Sequence, residues 1–268
     1  EIENYPGFFE HDKTGMDFMN TWQEQCFHFG LQHEMKKVEG VAKTGEHFTL
    51  TLEGGETVEA MTVIVCTGST PKRSGVKGED EYYGRGVSTC ATCDGFFYKD
   101  KPVTVLGGGD TALEEAFFLS NICSDVYVVH RREEFRAAPP TLDRAKRKEN
   151  IHFITNSVID EILGDAMGVT GVNIKNNDGT MTHMANTGLF IFVGHNVNNE
   201  VLKNEKGEFI CKMNDWGQVI VDLKMRTSVE GLFAAGDMRI DAPKQVVSAA
   251  GDGAVAALQV ISYIQEQQ

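Results

Sequence analysis

Two cysteines three positions apart, in Cys90-Ala91-Thr92-Cys93 followed by Asp94, are the residues best suited to chemistry in this chain. Thiol–disulfide exchange needs two sulfurs able to close on each other, one of which attacks a partner disulfide. Asp94, beside the second sulfur, can give or take the accompanying proton. A structural zinc site would need two further thiolate or imidazole ligands in a matching pair. The other cysteines, Cys26, Cys66, Cys123 and Cys211, are isolated, and His130 and His195 are not spaced for the purpose. A redox pair is favoured, with zinc binding and two inert buried cysteines as the alternatives.

A second motif, Gly107-Gly108-Gly109-Asp110-Thr111-Ala112, follows the strand-like run Val103 to Leu106 and opens a helix. Read as GxGxxA, Gly107 permits a tight turn, Gly109 lets a pyrophosphate approach the backbone, and Ala112 lets helix and strand pack closely. The start of the helix, at Asp110 and Thr111, then faces phosphate, with Asp110 expected as a cap. A plain tight connection is the alternative. An NAD site would carry an acidic residue about 20 positions further on. Here that place holds His130-Arg131-Arg132, with Arg136 one helical turn beyond. Guanidinium groups match a phosphate, so NADPH is favoured over NADH. The alternative is a solvated basic surface, to which Glu133 and Glu134 lend weight. A third motif, Gly231 to Asp237, ends a strand in Gly236-Asp237 and offers a carboxylate to sugar or ribityl hydroxyls.

These residues need elements to hold them. Thr14 to Gly30 reads as a helix capped by Thr14 and Asp17, with Met16, Met19, Trp22, Cys26 and Phe29 on one face and the methionines in the core. Strands are expected at Val38 to Val41, His47 to Leu52, Thr57 to Ala60 and Thr62 to Cys66, with Cys66 a small core residue. After a linker from Ser69 to Glu81 comes an α/β unit. Its strands are Val103 to Leu106, Val126 to Val129, Ile151 to Thr155, Val158 to Leu163 and Leu189 to Val193. Its helices start near Thr111 and at Pro139-Pro140, and Asn177-Asp178-Gly179 makes a hairpin turn. Phe96-Phe97-Tyr98 is expected to pack beside the cysteine loop, and Lys146-Arg147-Lys148 to be a solvated helix face. A second linker, Gly194 to Glu200, precedes strands Val219 to Asp222 and Gly231 to Ala235 and a helix from about Gln245 to Gln265. Gly251 and Gly253 within that helix mark either close approach of a ligand or simple packing.

The chain's 268 residues suit two modest α/β domains. A net charge of −14 without a basic stripe argues against nucleic acid as a partner. No unbroken apolar run approaches the roughly 18 residues of a membrane span, and no signal peptide opens the chain. A cytoplasmic protein without a structural disulfide framework is expected. The start without Met suggests that an N-terminal piece is missing.

Together and in this order, these residues resemble the low-molecular-weight bacterial thioredoxin reductases. The likeness is carried by Cys90 to Tyr98, the glycine turn, His130 to Arg136, Gly231 to Asp237 and Glu3-Asn4-Tyr5-Pro6-Gly7. The resemblance implies an α/β fold of two Rossmann-like, doubly wound domains. The FAD domain would comprise residues 1–72 and 198–268. The NADPH domain, residues 73–197, would carry the CxxC pair and be inserted between those halves, with hinge closure about the two linkers. It further implies that electrons pass from NADPH through FAD to a Cys90–Cys93 disulfide and on to thioredoxin. Cys93 would face the flavin, Cys90 would attack thioredoxin and Asp94 would handle the proton. Asn4, Thr67, Gly68, Gly236, Asp237, Lys244, Gln245 and Val246 would touch FAD, and the enzyme would be a homodimer. The family begins with a βαβ unit of about thirty residues or more that grips the FAD pyrophosphate; it would precede Glu3, so a truncated reductase is expected. Lys244, Val246 and Asp110 stand where Arg, Ala and Asn are common. A peroxiredoxin-reductase module and an inactive NADP-binding fragment are the alternative functions.

Overall fold

A computed structural model describes residues 5–8 and 14–267; Asn4 lies outside the described residues. The chain divides into two compact units, Glu1–Thr70 with Asn196–Gln268, and Pro71–His195. No core cluster of described residues draws on both.

The first unit opens with helix α1 (Gly15–His28). The Thr14 hydroxyl accepts the Asp17 N–H and the Asp17 carboxylate accepts the Thr14 N–H, so both ends of the capping box are made. Gly30, at φ 82°, takes the left-handed turn that ends it. Phe18 is the buried residue of this helix, set among the rings of Tyr5, Phe8 and Trp22. The methionines are not core: Met16 is 70% and Met19 52% exposed. Spacing decided that they share a face, but among the described residues nothing covers it. Strands β1 (Val38–Thr44), β2 (His47–Leu52) and β3 (Thr57–Ala60) form an antiparallel meander. Strand β4 (Val63–Val65) follows. Cys66, just past its end, is exposed and not in the core, because the strand stops one residue short of it.

Strand β5 (Ser69–Pro71) leads into the second unit. There α2 (Glu79–Tyr82), β6 (Val87–Ser88) and α3 (Ala91–Asp94) precede β7 (Val103–Gly107), α4 (Asp110–Leu119), β8 (Val126–Val129), α5 (Pro139–Lys146) and β9 (Ile151–Ile154). A hairpin sheet, β10 (Ser157–Asp165), β11 (Gly168–Asn176) and β12 (Met181–Ala185), comes next, and then β13 (Gly188–Phe192). The main sheet runs in the order β6-β13-β7-β8-β9, with every pairing parallel. β13 is buried along its whole length, as expected of an unalternated apolar strand covered on both faces. Phe190 and Phe192 point into a core made with Ala112, Leu113, Ala116 and Leu119 of α4. Leu189 and Ile191 point into one made with Ile159, Ile162, Val172 and Ile174. Helices therefore cover one face of this sheet and the antiparallel hairpin sheet covers the other.

Strand β14 (His195–Val197) pairs with β5, so the two connections between units run side by side. Back in the first unit, β15 (Leu232–Ala234) lies parallel to β4, and α6 (Val246–Glu266) closes the chain. The strand expected at Val219 to Asp222 does not form; Val219 makes only isolated bridges to Met213 and Arg239. Tight turns on either side explain this. Asn214 accepts the Trp216 and Gln218 N–H groups, and Asp222 accepts those of Lys224 and Arg226, which leaves no room for a ladder. By length and composition α6 would suffice to cross a membrane, although it holds no unbroken apolar run of that length. Ser248, Asp252 and the glycines interrupt it.

Candidate active site

Cys90 and Cys93 are joined in a disulfide. Cys90 is half-buried at the cap of α3, while Cys93 is exposed. Buried Ser88 anchors the loop: its hydroxyl accepts the Cys90 N–H at 3.0 Å and donates to the Cys90 carbonyl at 3.3 Å. The Cys93 N–H donates to the Cys90 sulfur at 3.2 Å, and the Thr92 hydroxyl lies 3.5 Å from that sulfur. Asp94, half-buried, holds the turn through its N–H to the Cys90 carbonyl. Of the three aromatics expected to pack here, Tyr98 packs edge-on against Phe190, with burial pushing its hydroxyl up, and Phe96 meets Phe118 edge-on. Phe96 and Phe97, shortly after Cys93 in the chain, remain 61% and 53% exposed.

The glycine turn follows β7 as expected, and its three residues differ in what surrounds them. A methyl group on Gly107 would lie 2.6 Å from the Ala112 side chain, and one on Gly108 would overlap the His130 ring. On Gly109 it would meet nothing within 4 Å. Gly109 itself caps α4, so Asp110 is not the cap; the Asp110 carboxylate instead accepts the Ala138 N–H at 2.8 Å. The Arg136 N–H donates to the Gly108 carbonyl at 2.8 Å. Two bonds thus tie the arginine loop to the glycine turn. His130 is buried, its Nε2–H directed to the Glu134 carbonyl at 3.2 Å and its ring stacked on Phe135. Burial holds its pKa below the ordinary 6.5, which keeps the imidazole neutral.

A cavity of about 390 Å³ opens at the ends of β7, β8 and β13, within the usual range for small-ligand sites. Gly107, Gly108, His130, Arg131 and Arg136 line it together. Arg132, Asp110 and Thr111 are exposed and outside its lining, as is half-buried Gly109. Lys72, Arg73 and Ser157 also line it and carried no signal in the sequence.

In the first unit, the ends of β4 and β15 converge. The Thr67 hydroxyl contacts Met238 and donates to the Asn198 carbonyl, while the Thr67 and Gly68 carbonyls accept the Asn198 side-chain amide and backbone N–H. Gly68 and Gly236 both adopt left-handed φ, 70° and 75°. Burial pushes the Asp237 carboxyl up against the opposing charge of Lys244. Gln245 caps α6, and Val246 is 39% exposed at its first turn. No motif pointed to what fixes this corner. Arg239 grips Asp252 of α6 through two bonds of 2.6 and 2.9 Å, and Asp252 also accepts the Gly236 N–H. Gly251 and Gly253 on either side face open space. The remaining thiols are plainly structural at two positions: burial pushes Cys123 and Cys211 up to about 11.

Residues 5–253 match the pyridine nucleotide-disulphide oxidoreductase family. A thioredoxin reductase of Helicobacter pylori is 58% identical over 99% of this chain and 85% of its own length. The chain belongs to the thioredoxin reductases of that family. A Streptococcus pyogenes thioredoxin reductase structure superposes with a TM-score of 0.89 at 38% identity, covering 99% of this chain and 84% of that one. One from Giardia duodenalis gives 0.92 at 35%, covering 98% and 85%. In thioredoxin reductases so similar, a Rossmann-type fold with a redox disulfide is shared across essentially all of this chain.

Proposed function

We propose that this chain is an NADPH-dependent thioredoxin-disulfide reductase that uses FAD. The observation that carries the reading is a Cys90–Cys93 disulfide on the same α/β unit as a cationic cavity at a glycine turn. The unit Pro71–His195 is then the NADPH domain, starting and ending two residues before the expected 73–197, and Glu1–Thr70 with Asn196–Gln268 is the FAD domain.

The residues present suit both groups. For NADPH, the open face of Gly109, the bare start of α4 and the guanidinium groups of Arg131 and Arg136 offer room and positive charge. Arg132, Asp110 and Thr111 flank that site, and neutral His130 shapes its floor. For FAD, two left-handed glycines, Gly68 and Gly236, end adjacent parallel strands, where open α/β sheets receive nucleotides. Thr67, Asp237, Lys244, Gln245 and Val246 surround them, and Asn4 is assigned with them by family likeness. When bound, NADPH supplies a hydride and FAD relays the electron pair to the disulfide.

The chain's own residues do the exchange. Once the disulfide is reduced, Cys90 is the attacking sulfur by likeness to the family, and the Cys93 N–H and Thr92 hydroxyl beside it suit a thiolate there. Its attack breaks the partner's S–S bond and forms a Cys90–partner disulfide. Cys93 then attacks the Cys90 sulfur, which restores the Cys90–Cys93 bond and releases the partner as a dithiol. Asp94 moves the proton between the sulfurs and solvent. Exposed Phe96 and Phe97, shortly after Cys93 in the chain, give thioredoxin an apolar footing. Similar enzymes also suggest a cytoplasmic homodimer.

The test is anaerobic titration of the purified chain with NADPH, followed by oxidised thioredoxin. A flavin band that bleaches and then recovers supports the reading, with Cys93→Ser losing thioredoxin reduction and Phe96→Ala raising the KM for thioredoxin. A chain that reduces no disulfide, or a Cys93→Ser variant as active as the parent, overturns it.

A further inference from the structure

The dinucleotide cavity is more cationic than the chain that builds it. Overall the protein carries a charge of −14, yet four cations and no carboxylate stand among the cavity's described lining residues. Arg131 and Arg136 come from the loop after β8. Lys72 and Arg73 come from another place, the stretch that enters the unit after β5.

Those two cations are not equivalent. Arg73 is already engaged, 3.7 Å from the buried carboxylate of Glu79, 3.8 Å from Asp80 and stacked 3.9 Å over the Tyr83 ring. Glu79 in turn accepts the Ser74 and Gly75 N–H groups and the Ser74 hydroxyl, which stiffens the loop around it. Lys72 pairs with no carboxylate among the described residues. Its backbone is nevertheless fixed, with the N–H donating to the Gly194 carbonyl at 2.9 Å. Its stem runs past Gly194, the Cδ lying 3.7 Å from where a Gly194 side chain would begin. A lysine held by its backbone, with its ammonium uncommitted, in a cavity without carboxylates, is a phosphate ligand in waiting.

We propose that Lys72 is a third phosphate-binding cation of the dinucleotide cavity, acting with Arg131 and Arg136 on the 2′-phosphate of the adenosine end. This rests on the reading of that cavity as the NADPH site. Lys72 thereby sets the preference for NADP over NAD from a residue that lies far from the arginine motif in sequence. It also places the first cation of the connection between units within reach of the ligand.

The experiment is calorimetric titration of the full chain with NADP+ and NAD+, for the parent and for Lys72→Gln, Lys72→Arg and Arg136→Gln, each checked for a native melting transition. Lys72→Gln is expected to weaken NADP+ about tenfold or more, the scale of one charged hydrogen bond, and to leave NAD+ nearly unchanged. Lys72→Arg restores most of the loss. Unchanged NADP+ affinity in Lys72→Gln, or an equal loss for both ligands, overturns the proposal. If Arg136→Gln loses the NADP preference while Lys72→Gln keeps it, only the role of Lys72 falls. If neither variant alters that preference, the assignment of the cavity itself fails.

Discussion

Three adjacent glycines show how differently one residue type can be used. At Gly107 and Gly108 a side chain would collide with Ala112, the Phe192 carbonyl or His130, so these two serve the packing of strand, helix and ring. Gly109 has no such neighbour and a φ of −99°, which alanine tolerates. Its lack of a side chain therefore matters to whatever approaches from outside. Gly109→Ala should change stability by less than about 1 kcal/mol, the range of a cap substitution. It should weaken NADP+ by about tenfold or more, because the methyl occupies the path of a phosphate to the backbone. Chemical denaturation and equilibrium binding on the same preparation check both halves; a large stability loss would place the glycine in the packing class instead.

At the scale of elements, α6 is held to the turn after β15 by one ionic contact. Asp252 accepts from Gly236 and from both arms of Arg239, with side chains only 9% and 15% exposed. Removing one member of a buried pair leaves the other charge without its partner. Asp252→Ala should cost about 3–5 kcal/mol, read as a lower denaturation midpoint. Flavin retention should fall with it, since Gly236 and Asp237 lose their anchor. An unchanged midpoint would mean that solvent replaces the pair. The arginine loop is positioned by the same kind of device, through Arg136 to Gly108 and Ala138 to Asp110. Here the helix cap expected of Asp110 gave way to a longer-range bond, because the turn had no cap to need once Gly109 took the extended conformation.

For the whole molecule, the decisive feature is that the cores are separate. The clusters around Phe190 and Leu189 belong to residues 71–195, and those around Phe48 and Phe233 to the rest of the chain. A ligand bound to one unit then stabilises that unit. NADP+ at about a hundred times its Kd contributes about 2.7 kcal/mol. Core amides of β7 and β8 that open only by unfolding should therefore exchange about a hundredfold more slowly. Those of β4 and β15 should keep their rates. Hydrogen exchange followed by mass spectrometry separates the two; equal slowing in both would show that they unfold together.

What the sequence determined by itself was local. The CxxC pair, the strand–turn–helix around Gly107, the basic residues after β8 and the cap of α1 are each written within a few consecutive residues. Backbone geometry and hydrogen bonding act at that range. Periodicity likewise placed Met16 and Met19 on one face of α1 and Val63 to Val65 in a strand. Tertiary structure alone decided what covers those faces. It left both methionines and Cys66 exposed and buried Asp252 against Arg239. It also brought Lys72 into a cavity with Arg131 and Arg136. Burial and ion pairing depend on which distant surfaces meet, and one chain segment read alone does not carry that information.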